Sequence, residues 1–150
     1  MIDKDHDIPR STRERLKENI GFLLHRPSLM WRERLDRALA PLGLTVMHYG
    51  VLRLLELNLV EYQQQIGLRL DLDPSRVVEL MNTLEERALI QRLRNEQDKR
   101  KYSLSLTPKG RKTLSRAKTI ANKEQTDFLS VLSENEQKSL FQSLWKLASE

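Results

Sequence analysis

The residues best placed to do chemistry lie between Ser75 and Lys101. From Gln91 to Lys101 the chain carries five cations, Arg92, Arg94, Lys99, Arg100 and Lys101, against two anions, Glu96 and Asp98. A cationic, turn-like segment of this kind suits phosphate, and an arginine on such a tip suits a narrow minor groove. Just upstream, Pro74 to Arg87 reads as a helix with Val77, Leu80, Met81, Leu84 and Ala88 on one face. The opposite face carries Ser75, Glu79, Asn82 and Glu86, flanked by Arg76 and Thr83. Ser75, Arg76 and Asn82 are hydrogen-bonding types able to reach phosphates and base edges. Glu79 must either accept from cytosine N4 or be neutralised, and Arg76 one turn earlier serves the second option. A polar face alone also describes an ordinary surface helix, and a charged hairpin alone describes a solvated turn. Only their adjacency points to DNA.

The rest of the chain offers no catalytic constellation, so no enzyme is expected. The three histidines, His6, His25 and His48, have no paired metal ligand at helical spacing. The five glycines are scattered singly, without a phosphate loop. With no cysteine in the sequence, thiolate metal sites, disulfides and thiol redox sensing are excluded. No metal or cofactor is expected. His25, Trp31, His48 and Tyr49 bring aromatic and hydrogen-bonding groups toward the junction of the first two helices, where a small ligand could bind. The plainer reading is favoured for each: core or dimer packing for Trp31 and Tyr49, and a surface position near a kink for His25.

The elements that must position these residues are legible from periodicity and caps. Ser11 to about Leu42 reads as one long helix, kinked or split near Leu23 to His25 by Pro27, with Gly43 as its left-handed cap. Thr45 caps a helix over Val46 to about Leu57, with Met47, Val51, Leu54 and Leu55 apolar. A short helix spans roughly Gln63 to Leu70. Asp71-Leu72-Asp73 forms a tight turn, and Asp73-Pro74 starts the polar-faced helix. Short helix, turn and capped helix make a helix-turn-helix. Ile90 to Arg94 and the alternating Tyr102, Leu104 and Leu106 make a hairpin. Thr107-Pro108 opens a helix expected to reach Val131, and Ser133 with Glu136 forms a capping box for the last one.

The chain has 150 residues, 39% of them hydrophobic and 31% charged, with a formal net charge of +5. That is one domain's length with a modest apolar supply, so pairing with a copy of itself would bury more. The basic balance favours a polyanionic partner. The polar N-terminus lacks the apolar core of a signal peptide, and no segment reads as a membrane span, so a cytoplasmic protein is expected.

One run of residues resembles a known family. Asp98-Lys99-Arg100, followed by Leu104-Ser105-Leu106-Thr107-Pro108-Lys109-Gly110, is similar to the wing signature of MarR-type regulators, Asp-x-Arg and then Leu-Thr-x-x-Gly. Leu42-Gly43-Leu44-Thr45 resembles that family's junction between its first two helices, and Leu84-Glu85-Glu86-Arg87 with Leu89-Ile90 the end of its recognition helix. The resemblance implies a mainly α winged helix-turn-helix fold with a small β-hairpin wing. It implies a DNA-binding lobe over residues 44–107, a dimerisation region over 11–43 and 108–150, and a disordered tail over 1–10. It further implies a homodimeric repressor on a palindromic operator in double-stranded DNA, relieved by a small aromatic or anionic effector. Carried over by position, Arg100 is the wing arginine and Asp98 its holding aspartate. Lys99 and Lys101 flank them, and contacts fall on Ser75, Arg76, Glu79 and Asn82. The sequence departs from the family at Asp71 and Ala88, where glycine is common, and at the acidic Glu79. The rival reading is a non-enzymatic protein-interaction or acidic-surface module. Salt-sensitive but sequence-selective duplex binding separates the two.

Overall fold

A computed structural model of the chain describes residues 15–60, 62–94 and 102–149. The chain divides into two units, Met1–Arg34 and Leu35–Glu150. Helix α1, Ile20–Leu39, begins in the first and ends in the second. Its start differs from the expected one. Helical structure breaks at residues 17–19, and the Asn19 side chain accepts from the Phe22 N–H at 2.9 Å, so Asn19 is the working N-cap. Pro27 lies inside α1 without splitting it. Pro27 and Leu23, whose carbonyl loses its partner, are both exposed, so water can serve that carbonyl. Within the first unit Ile20, Leu23, Leu24, Leu29 and Met30 of α1 are also exposed.

In the second unit, Leu35 and Leu39 are buried. A single 3-10 turn, Ala40–Leu42, follows α1 and contains Pro41, which ends the α-helix short of the expected Leu42. Gly43 then takes φ +63°, and a Cβ there would sit 2.9 Å from the Arg87 guanidinium. Arg87 uses that closeness to donate to the carbonyls of Leu42, at 2.6 Å, and Gly43. Helix α2, Val46–Glu56, is capped by Thr45, and the Asp36 carboxylate accepts from the Val46 N–H at 2.5 Å.

Helix α3, Gln63–Leu70, ends on Asp71 with φ +52°, and α4 runs over Pro74–Glu86. Strands β1, Ile90–Arg94, and β2, Tyr102–Leu106, pair antiparallel with Ile90 opposite Leu106 and Arg92 opposite Leu104. Helix α5, Pro108–Leu129, stops two residues before the expected Val131. Helix α6, Glu134–Ala148, follows the Ser133 capping box. The described elements are thus six α-helices and one hairpin, with the helix-turn-helix and hairpin in the expected order.

The core sits around α2, which packs against α3, α4, β2 and α5. Val51, Leu52, Ile66, Met81, Leu84, Leu89, Leu106, Leu114 and Ala117 fill it, and no polar residue is buried among the described residues. Leu52 lies outside the expected apolar stripe yet is fully buried, because a helix contacted on several sides buries more than one stripe. No described helix is by itself long and apolar enough to cross a membrane.

Candidate nucleic-acid interface

The turn before α4 aims its first residues outward. Asp73, the N-cap, accepts from the Arg76 N–H at 2.9 Å and from the Ser75 hydroxyl. Those bonds, the Ser75 hydroxyl foremost, hold the Asp73 carboxyl below its ordinary value. Pro74 occupies the first helical position, where its missing N–H costs nothing. Ser75, Arg76, Glu79 and Asn82 are all exposed, and Val77, Leu80, Met81 and Leu84 are buried on the opposite face. Arg76 lies 3.7 Å from Glu79, with both side chains largely in solvent. Such a pair adds little to stability, but it places a cation beside the acidic residue as the helical spacing suggests.

Asn82 is less free than its exposure implies. The Arg92 guanidinium, from β1, donates to Asn82 Oδ1 at 3.1 Å and to Gln63 Oε1 at 3.4 Å. It also pairs with Glu85 at 3.0 Å. One side chain therefore ties the wing's first strand to α3 and α4. Sequence reading missed this because it pooled Arg92 with the other hairpin charges. The available signal was phase: the strand period places Arg92 on the inward face with Ile90, across from buried Leu104.

The junction of wing and α5 explains the Leu-Thr-x-x-Gly run. Thr107 accepts from the Gly110 N–H at 2.9 Å as N-cap of α5 and donates to the Ala88 carbonyl at 2.7 Å. A Cβ at Gly110 would lie 1.9 Å from the Leu89 carbonyl oxygen, so only glycine lets α5 approach the start of β1. Lys109 donates to the Arg87 carbonyl at 2.8 Å, serving the end of α4. Ala88 itself has φ +54° and Asp71 φ +52°, so both departures from glycine occupy left-handed backbone. The remaining wing residues of the candidate site, Asp98, Lys99, Arg100 and Lys101, lie outside the described residues.

Of the residues considered for a small ligand, His25 is exposed and Trp31 half-buried in the first unit. His48 and Tyr49 are half-buried in the second. His48 serves the fold locally, since its Nδ1 accepts from the Thr45 N–H at 3.1 Å and so completes the capping box of α2. Burial, then the nearby Arg87 charge, lowers the His48 pKa, with Asp36 and Glu79 opposing. Burial raises that of the Tyr49 hydroxyl. Among the described residues no cluster of three or more His, Asp or Glu side chains could hold a metal ion.

Residues 38–117, from the end of α1 into α5, match the family model of the transcriptional regulators SarA/Rot. A protein of Thauera aromatica, named for transcriptional regulation of the hcr operon, is 31% identical over 129 residues, covering 85% of this chain and 78% of its own. A MarR family transcriptional regulator from Rhodococcus sp. RHA1 superposes with a TM-score of 0.79 at 29% identity, over 89% of this chain and 96% of its own. The transcriptional repressor CouR, bound to a 23-mer DNA duplex, gives a TM-score of 0.81 at 33% identity, over 89% of this chain and 94% of its own. CouR from Rhodococcus jostii RHA1 bound to p-coumaroyl-CoA gives 0.76 at 30%, with the same coverage.

Proposed function

The chain belongs to the MarR family of winged helix-turn-helix, DNA-binding transcriptional regulators, a non-enzymatic class, and on that footing we propose that it is a homodimeric repressor of a palindromic operator. The observation that carries the reading is the exposed polar face of α4, Ser75, Arg76, Glu79 and Asn82, tied through Arg92 to the base of a cationic hairpin. Two such helices, one per protomer, enter successive major grooves about 34–36 Å apart on one side of the duplex. The wings add minor-groove contacts outside them through Arg100, held by Asp98, with Lys99 and Lys101 on neighbouring phosphates.

Dimerisation uses the residues flanking the lobe, 11–43 and 108–150, with 44–107 as the reader. Its support is the apolar surface on α6, where Phe141, Leu144, Trp145 and Leu147 are all exposed, and on α1. A small aromatic or anionic effector relieves repression by changing the separation of the two lobes. The capture of p-coumaroyl-CoA by CouR supports an effector of that chemistry. His25, Trp31, His48 and Tyr49 are the residues at which substitutions should alter the response.

The test is operator binding. Duplexes selected from a random pool should carry an inverted repeat. Arg100→Ala should weaken binding to that repeat at least about tenfold while leaving the dimer intact. Unchanged affinity would remove the wing from the interface, and selection of no symmetric sequence would overturn the operator reading.

A further inference from the structure

The reading proposed for α4 leaves open what Asn82 recognises, and the surroundings of Arg92 decide it. A guanidinium carries donors only, so an amide facing it must present oxygen. At 3.1 Å from an Arg92 terminal nitrogen, Asn82 Oδ1 is the accepting atom, and the amide nitrogen is turned away on an exposed residue. The guanidinium is held from more than one side. Glu85, three residues on along α4, pairs with it at 3.0 Å, and Gln63 at the start of α3 accepts from it at 3.4 Å. Its stem is set by the strand register opposite Leu104, and its buried Nε has no hydrogen-bond partner among the described residues. A side chain that leaves a buried N–H unsatisfied is placed by the contacts of its other nitrogens.

We propose that Arg92 is a positioning residue that makes Asn82 a pure donor, so the operator base facing Asn82 is guanine or thymine and not adenine. This rests on the DNA-reading role proposed for α4. Asparagine reads adenine with both ends of its amide, the oxygen taking the N6 proton and the nitrogen donating to N7. Here the oxygen is committed to Arg92, which fixes the amide with its oxygen toward the strand, so oxygen and nitrogen cannot both turn to the adenine edge. The outward NH2 matches guanine, whose N7 and O6 are both acceptors, or thymine O4, whereas adenine offers it N7 alone with the N6 donor crowding beside it.

Operator selection from random duplexes with the intact protein and three variants tests this. Asn82→Ala identifies the operator position that depends on Asn82. At that position the unaltered protein should prefer guanine or thymine over adenine by about tenfold. Arg92→Met, which frees the amide oxygen, should bring adenine in at the same position. Asn82→Asp keeps the bond to Arg92 and presents an oxygen outward, so it should turn the preference to cytosine, the base with an N4 donor. Adenine at that position with the unaltered protein, an unchanged profile for Arg92→Met or Asn82→Asp, or no position responding to Asn82→Ala would each overturn the proposal. If melting shows that Arg92→Met does not fold, the unaltered protein and Asn82→Asp decide the matter. Failure of the unaltered protein to enrich any sequence would instead defeat the regulator reading, and this proposal with it.

Discussion

At the scale of single residues, the most family-specific motif in the chain turns out to be a joint. Gly110 is required because α5 touches the Leu89 carbonyl, and Thr107 bolts that contact on both sides. Gly110→Ala should therefore destabilise the fold by about 3 kcal/mol or more, since backbone cannot yield as a side chain does; denaturant unfolding measures it. The opposite sign is expected at Ala88, whose left-handed φ of +54° suits glycine. Ala88→Gly should raise stability by about 1 kcal/mol in the same assay. The sequence made Ala88 visible as a departure from glycine, because composition at a turn reports backbone conformation. Arg92 stayed hidden, because charge alone does not say which neighbour a side chain will meet. His48 carries a pH dependence. Its pKa lies below the ordinary 6.5, so the unfolded chain binds more protons in the window between the two values. The stability gained by burying the His48 ring neutral beside Arg87 is therefore complete above that ordinary value and lost as pH falls through it toward the lowered one. Unfolding from about pH 7.5 to about pH 5.5 should show this loss, and His48→Gln, which keeps an acceptor at the same capping position, should flatten it.

At the scale of elements, helix starts are more legible in the sequence than helix lengths. Thr45, Asp73, Thr107 and Ser133 all start helices as their side chains suggest, with a following proline at Asp73 and Thr107, because a cap is a local hydrogen bond. The ends of α1 and α5 differ from the expected ones because an apolar repeat continues past the point where the backbone stops. Asn19 restarts α1, Pro41 tightens its end, and α5 closes at Leu129 although Val131 keeps the apolar character. Helix α6 is the element whose pattern has no use inside the described residues: it contributes no buried residue, and Trp145 is 75% exposed. An amphipathic helix with an uncovered apolar face needs a partner. Truncation after Ser133 should thus convert the proposed dimer to monomers, with affinity falling to that of a half-site; sedimentation and operator titration measure both. A stable dimer without α6 would place the interface elsewhere.

At the scale of the whole molecule, the proposed dimer sets two readers on one duplex. In that proposal net charge supplies attraction without sequence preference, and the α4 side chains supply discrimination. Lys101→Ala should lower affinity evenly across sequences and reduce the salt slope by about one, as loss of a phosphate contact does. A decisive experiment maps both reading parts onto DNA at once. Because the chain has no cysteine, Val78→Cys on exposed α4 and Lys99→Cys on the wing each give a unique site for a tethered DNA-cleaving chelate. On a selected operator, Val78→Cys should cut around two major grooves about one helical turn apart. Lys99→Cys should cut in the minor grooves just outside them, on the same face of the duplex. Cuts from the two positions on opposite faces, or cuts scattered without regard to sequence, would refute the paired-reader arrangement.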